Sequence, residues 1–225
     1  MTASSDTTLD LHHTTRDAIL QSALGIAAFD GWTRASFDAA VKESGVDAGL
    51  AHLACPRDEL DLIIHWSNVM DDTAEKAILA ADIDSMKIRD RVTFCVLQRL
   101  EAIGPNEEAA LRARARLLLP DAVTESAGLI WKTSDMIWRA IKDTSTDFNF
   151  YSKRAILSGV YSSTLSVWLG ESDPEKPRAR DFLDHRIENV MQFEKAKWQV
   201  RKATQHLPDL GSLLGKMRYG FGPRA

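Results

Sequence analysis

An all-α fold is predicted by three observations. Large apolar residues recur at helical spacing along most of the chain, no stretch sustains the alternation of a strand, and glycine or proline stands where the apolar stripes end. With 225 residues, 44% hydrophobic and 27% charged, the chain is long enough for a sizeable core and has the composition of an ordinary globular protein.

The first fifteen residues, MTASSDTTLDLHHTT, carry two aspartates and no arginine and have neither a basic n-region nor an apolar h-region. They read as a frayed, disordered terminus, unlike a secretory or mitochondrial leader, in a protein kept in a cytoplasm. Over 16–29, Ile19, Ala23, Ile26 and Ala27 form an amphipathic stripe, and Gly31 follows at the C-cap. Residues 37–43 make a second helix, Ser44-Gly45-Val46 a tight turn, and Asp47 caps a short helix that ends before Pro56. Helix, glycine turn and helix give the helix-turn-helix outline. A longer helix from Asp58 then carries Leu60, Ile63, Ile64, Ser67 and Met70.

This layout resembles the N-terminal domain of the TetR family, which implies a TetR-like helical bundle with 16–72 as its helix-turn-helix-like part. Charge argues against DNA reading. From Arg34 to Asp58 the net charge is −1, whereas phosphate binding needs several positive charges. The second helix of the pair, DAGLAHLA, has no Arg, Lys, Asn or Gln to read base edges. The DNA-reading residues are lost and the scaffold is kept.

Residues 73–192 read as a helical core. One helix over 86–103 carries Ile88, Val92, Cys95, Val96 and Leu100 and is stopped by Gly104-Pro105; another covers 107–119, and a third, over 122–141, presents Val123, Ile130, Trp131, Met136, Ile137 and Trp138. The run FNFYSKRAILSGVYSSTLSVWLG over 148–170 has only Lys153 and Arg154 as charges and is apolar on several faces, so it is a central core helix. Its uncharged part falls short of the about 20 apolar residues a membrane span needs. Ser152, Ala155, Gly159, Ser162 and Ser166 form a small-residue row that fits either close helix packing or room for a ligand. Phe182, Leu183, Ile187, Val190 and Met191 mark a last core helix. Cys55 and Cys95 lie in no C-x-x-C pattern and fit buried, reduced thiols.

The tail, 193–225, carries a net +5 and leaves −9 for the rest of the chain. After Pro208, Leu210, Leu213, Leu214, Met217 and Phe221 can form one apolar face with Lys216 and Arg218 beside it. This basic amphipathic segment suits a membrane surface, or else packs on the body or on a second subunit.

The stretch DTSTDFNFYSKRAIL over 143–157 resembles the signature of the ubiquinone-biosynthesis accessory family, the ninth Coq protein of eukaryotes and its alphaproteobacterial relatives. The similarity extends upstream through Gly31-Trp32 and downstream through RDFLDHRIENVM. The resemblance implies a TetR-like fold that binds an isoprenoid or other lipid and presents quinone intermediates to a demethoxyubiquinone hydroxylase. The docking positions it implies are Asp147, Phe150, Tyr151 and Arg154, with Phe150 standing where the family often has tryptophan.

Catalytic chemistry finds no foothold. No histidine has a glutamate three residues before it for a di-iron bundle, no zinc spacing occurs, and neither a P-loop nor a nucleophile elbow is present. No enzyme activity, cofactor or metal is expected. An apolar lipid cavity is instead expected from Phe94, Leu97, Trp131, Met136, Trp138, Gly159, Tyr161, Ser162, Leu165 and Trp168, residues that equally suit a helical core. The sequence thus reads as a non-enzymatic accessory protein, peripheral on a bacterial inner membrane. It does not bind nucleic acid in this reading, and homodimerisation through the last helices is expected by likeness to TetR folds. The rival readings are a ligand-responsive regulator and a dimeric scaffold without a cavity.

Overall fold

A computed structural model describes residues 3–204, with side chains described for 11–192 except Asp147. Among the described residues there are nine helices and no strand, as the spacing predicts. Contacts divide the chain into two compact units, residues 1–184 and 185–225.

In the first unit, α1 (Ala3–Asp30) packs on α2 (Arg34–Ser44), α3 (Ala48–Ala54) and α4 (Glu59–Ala80). Gly31, at φ 77°, ends α1, and Gly45, at φ 70°, closes α2; both adopt the left-handed conformation that glycine tolerates best. Thr33 caps α2 through Ser36 N–H, and Asp47 caps α3 through Leu50 N–H. Gly31, Gly45 and Asp47 thus take the places the helix-turn-helix outline expects of them, and Thr33 adds a cap that the sequence reading did not name. Gly31-Trp32 also has a tertiary role. The Trp32 ring stacks on Trp66 with centroids 5.9 Å apart, and its Nε1 donates to Ala109 O at 2.9 Å, which ties the α1–α2 corner to α4 and to the chain at Ala109.

The body consists of α4, α5 (Ile88–Glu101), α6 (Glu107–Leu117), α7 (Val123–Ala140) and α8 (Asp147–Leu169). Helix α4 packs on α5 and α7, and α8 packs on α5, α6 and α7, so the run around which the sequence is organised is central in the structure too. Ile19, Leu62, Ile78, Leu100, Ile137 and Leu183 are fully buried. Helix α9 (Pro177–Thr204) begins in this unit. Taken alone, the second unit continues that helix through residue 204, where Gln192 Nε2 donates to Glu188 Oε1 at 3.0 Å.

Three expected boundaries differ. The segment read as disordered is helical from Ala3; at its inner end Thr15 is buried and donates to Leu11 O, and the His13 ring lies 5.7 Å from His65. The expected break at 72/73 falls inside α4, and that at 192/193 inside α9. No helix among the described residues is long and apolar enough to cross a membrane.

Candidate functional site

Helices α4 to α8 enclose a cavity of about 200 Å³. Ile63, Trp66 and Met70 of α4, Leu117 and Leu118 at the end of α6, Leu129 and Ile130 of α7, and Tyr161, Leu165 and Leu169 of α8 supply its apolar wall. These side chains lie at helical spacing on facing surfaces, and small residues, Ala110 and Ala113 of α6 and Ser162 of α8, leave the space between them. Leu118 is 63% exposed, so the cavity reaches the surface at the α6–α7 turn.

The buried side of the cavity is polar. Arg99, 2% exposed, donates from Nε to Asp71 Oδ1 at 2.5 Å and from Nη2 to Ser67 Oγ at 3.2 Å, and it lies 5.8 Å from the Tyr161 ring centroid. Thr133 Oγ1 donates to the same Asp71 oxygen at 2.8 Å. Burial pushes the Tyr161 phenol up, against the opposing influence of Arg99. An ion pair this deep survives because each charge has the other and further hydrogen bonds to offset its lost hydration.

A second feature lies at the entry to α8. Asp143 is held by Lys153 Nζ at 2.6 Å and by Ser145 Oγ at 2.8 Å. Burial alone would raise its carboxyl, but these hydrogen bonds outweigh burial and hold it below the usual range. Lys153 also sits 5.0 Å from the Trp138 ring centroid, and Trp138 Nε1 donates to Lys153 O. Asp143, Ser145 and Lys153, all within the 143–157 stretch that carries the family resemblance, thus anchor the α7–α8 turn. Above that anchor an aromatic face is open to solvent: Phe148 is 74% and Tyr151 63% exposed, and Tyr151 stacks on Trp131 at 6.3 Å.

The expected lipid-binding set divides. Tyr161, Ser162 and Leu165 line the cavity. Trp131 is instead part of the aromatic face, Trp138 lies under Lys153, and Met136 is packed in the core. Phe94 and Leu97 are half-buried on α5 away from the cavity lining, and Trp168 is buried near Lys176 and Arg180. Gly159 is exposed, and a Cβ there would meet nothing within 4 Å, so it does not make room for a ligand. Sequence reasoning missed Trp66, Arg99, Leu117, Leu129 and Leu169; the signal available was the apolar face of α4, already visible as Ile63, Ser67 and Met70.

Of the expected docking set, Tyr151 is accessible and Phe150 half-buried. Arg154 requires a correction. It is 2% exposed, donates from Nε to Asp135 at 2.6 Å and lies 3.4 Å from the Phe150 centroid, so it supports the face from below rather than meeting a partner. The Asp147 side chain and the tail residues Leu210, Leu213, Leu214, Lys216, Met217, Arg218 and Phe221 lie outside the described residues.

The thiols of Cys55 and Cys95 are both free and buried, and burial pushes them up to about 11 and about 12. No group of three or more His, Cys, Asp or Glu side chains suited to a metal occurs among the described residues. On α3 the exposed side chains include His52 and Leu53, with no Arg or Lys in the helix.

The COQ9 family model matches residues 123–194, which include α7, α8 and the start of α9. Ubiquinone biosynthesis protein COQ9, mitochondrial, is 28% identical in Rattus norvegicus, over 84% of this chain and 62% of that protein, and 26% identical in Homo sapiens, over 84% and 61%. Protein COQ9-B of Xenopus laevis is 35% identical over a shorter stretch, 47% of this chain and 36% of its own length. The chain thus spans somewhat less than two thirds of the rat and human relatives. Among solved structures, a TetR transcriptional regulator from Nitrosomonas europaea superposes with a TM-score of 0.65 at 17% identity, covering 79% of this chain and 98% of that one. The chain is accordingly similar to the COQ9 proteins over most of its length, and its fold is TetR-like and all-α.

Proposed function

We propose that the protein is a lipid-binding accessory protein of ubiquinone biosynthesis, which binds isoprenoid or quinone intermediates and presents them to a demethoxyubiquinone hydroxylase at a membrane. The observation that carries this reading is the apolar cavity opening at the α6–α7 turn, two of whose walls, α7 and α8, lie in the COQ9-matching segment. A cavity of this size is smaller than the about 300–1,000 Å³ of drug-sized sites, so it holds one end of a long lipid and leaves the rest outside. Phe148 and Tyr151 offer the hydroxylase an aromatic face, with Phe150 and Arg154 beneath it and Asp147 at the start of the same helix.

In this reading the protein is not itself an enzyme and works as a homodimer, peripheral on a bacterial inner membrane. The basic tail seats it there, each basic residue near an anionic leaflet contributing about 1 kcal/mol. The similarity to a TetR regulator supports the fold alone, and a DNA-reading role is disfavoured by an α3 without cations. A scaffold lacking a ligand is disfavoured by the cavity itself.

The test is native mass spectrometry of the gently purified protein, with extraction and identification of any lipid. A co-purified isoprenoid lipid supports the reading; protein isolated empty, and unable to take up ubiquinone intermediates from detergent, contradicts it.

A further inference from the structure

Resting on the lipid-cavity reading, we infer that the cavity takes its ligand ring-first, with a neutral oxygen-bearing ring against Arg99 and the apolar chain leaving past Leu118. Volume is the first argument. The cavity, about 200 Å³, is slightly larger than the about 150 Å³ apolar cavity that accepts benzene, so it has room for one substituted ring and not for a folded hydrocarbon chain.

The second argument is the direction of polarity. Arg99 and Thr133 line the buried side at 2% and 1% exposure, whereas Leu118 lines the open side at 63%. A hydrocarbon end driven inward would press against a guanidinium, while a ring oxygen would meet a donor. That donor is poorly used without a ligand: among the described residues Arg99 Nη1 reaches only the Met70 sulfur, at 3.4 Å, and a thioether is a weak acceptor.

Charge then selects the oxygen. Asp71 already balances Arg99, so an anionic ligand group would bring an unpaired negative charge into the buried side. A carbonyl or similar neutral acceptor adds a hydrogen bond to a charged donor without that cost. The competing arrangement is an anionic head held outside by Arg114, a half-buried lining residue with no hydrogen-bond or ion-pair partner among the described residues.

The test uses delipidated full-length protein and two planar ligands of one shape, acetophenone and α-methylstyrene, titrated by methyl NMR. In the double variant Arg99→Met with Asp71→Asn, acetophenone affinity is expected to fall at least tenfold, as loss of a hydrogen bond to a charged donor requires, and α-methylstyrene affinity to change less than threefold. In wild-type protein the carbonyl stretch of bound acetophenone is expected below its position in hexane, a readout that holds even where the double variant does not fold. Equal responses of the two ligands, or an unshifted carbonyl, overturn the ring-first inference and leave the cavity reading intact. Octyl phosphate that binds tenfold more tightly than acetophenone, and is lost on Arg114→Ala, likewise overturns it. Binding of none of these probes overturns both.

Discussion

The guanidinium carbon of Arg154 lies 3.4 Å from the centroid of the Phe150 ring, four residues earlier on α8, while Nε donates to Asp135 on α7. One buried cation thus joins two helices and supports the underside of an aromatic face whose Tyr151 points outward. The structural role of Arg154 and the proposed docking role of Tyr151 are therefore separable by mutation. Arg154→Ala should cost about 2 kcal/mol in urea unfolding, since it removes buried packing and leaves Asp135 with Arg139 as its remaining ion-pair partner. Tyr151→Ala should change stability by about 0.5 kcal/mol or less and still abolish capture of a demethoxyubiquinone hydroxylase. A Tyr151 variant that captures the hydroxylase as well as wild type would remove the aromatic face from the docking surface.

The thiols give a probe of the intact core. With Cys55 and Cys95 buried and pushed up to about 11 and about 12, neither presents appreciable thiolate at pH 8. Ellman's reagent should label neither within minutes in the native protein and both in guanidinium chloride. Rapid native labelling of Cys95 would mean that α5 opens readily from the body.

Acid should loosen the α7–α8 turn only below the ordinary carboxylate range. The Asp143 carboxyl is held below its ordinary 3.8 by Lys153 and Ser145, so its stabilising contribution is complete above that value and is lost as pH falls through the lower folded value. Asp143→Asn should flatten the loss of stability in that acid window, measured by urea titration between pH 5 and pH 2. An unchanged slope would show that the anchor contributes nothing to acid sensitivity.

A helix-turn-helix whose second helix carries no Arg or Lys should not hold DNA. Fluorescence anisotropy with a random duplex at 20 mM salt should show no binding, because α3 carries no Arg or Lys and phosphate contacts supply most non-specific affinity. Tight binding that weakens steeply with salt would revive the regulator reading.

The helices were legible because their ends are local chemistry. Gly31 and Gly45 need the left-handed conformation, Asp47 caps the next helix, and Thr146 precedes an unbroken apolar run. The cavity was less legible, since a side chain facing a void and one facing another side chain have the same spacing; Tyr161 and Leu165 face the void and Met136 does not, though all are apolar stripe residues. The buried charges were hidden for a different reason. Arg99 finds Asp71 and Arg154 finds Asp135, partners 28 and 19 residues away, and nothing in helical spacing joins them. Gly159 misled because a small residue signals space only where a second helix faces it: Ser162 of the same row lines the cavity, whereas α8 is open at Gly159.

The cavity claim has a built-in control in that contrast. Ser162 lines the cavity and Gly159, on the same helix, faces outward. Native mass spectrometry of Ser162→Leu and Gly159→Leu beside wild type, with unfolding curves for each, tests it most directly. Ser162→Leu should lose most bound isoprenoid lipid while remaining folded, and Gly159→Leu should keep it. Equal lipid occupancy in all three proteins would contradict a ligand in this cavity.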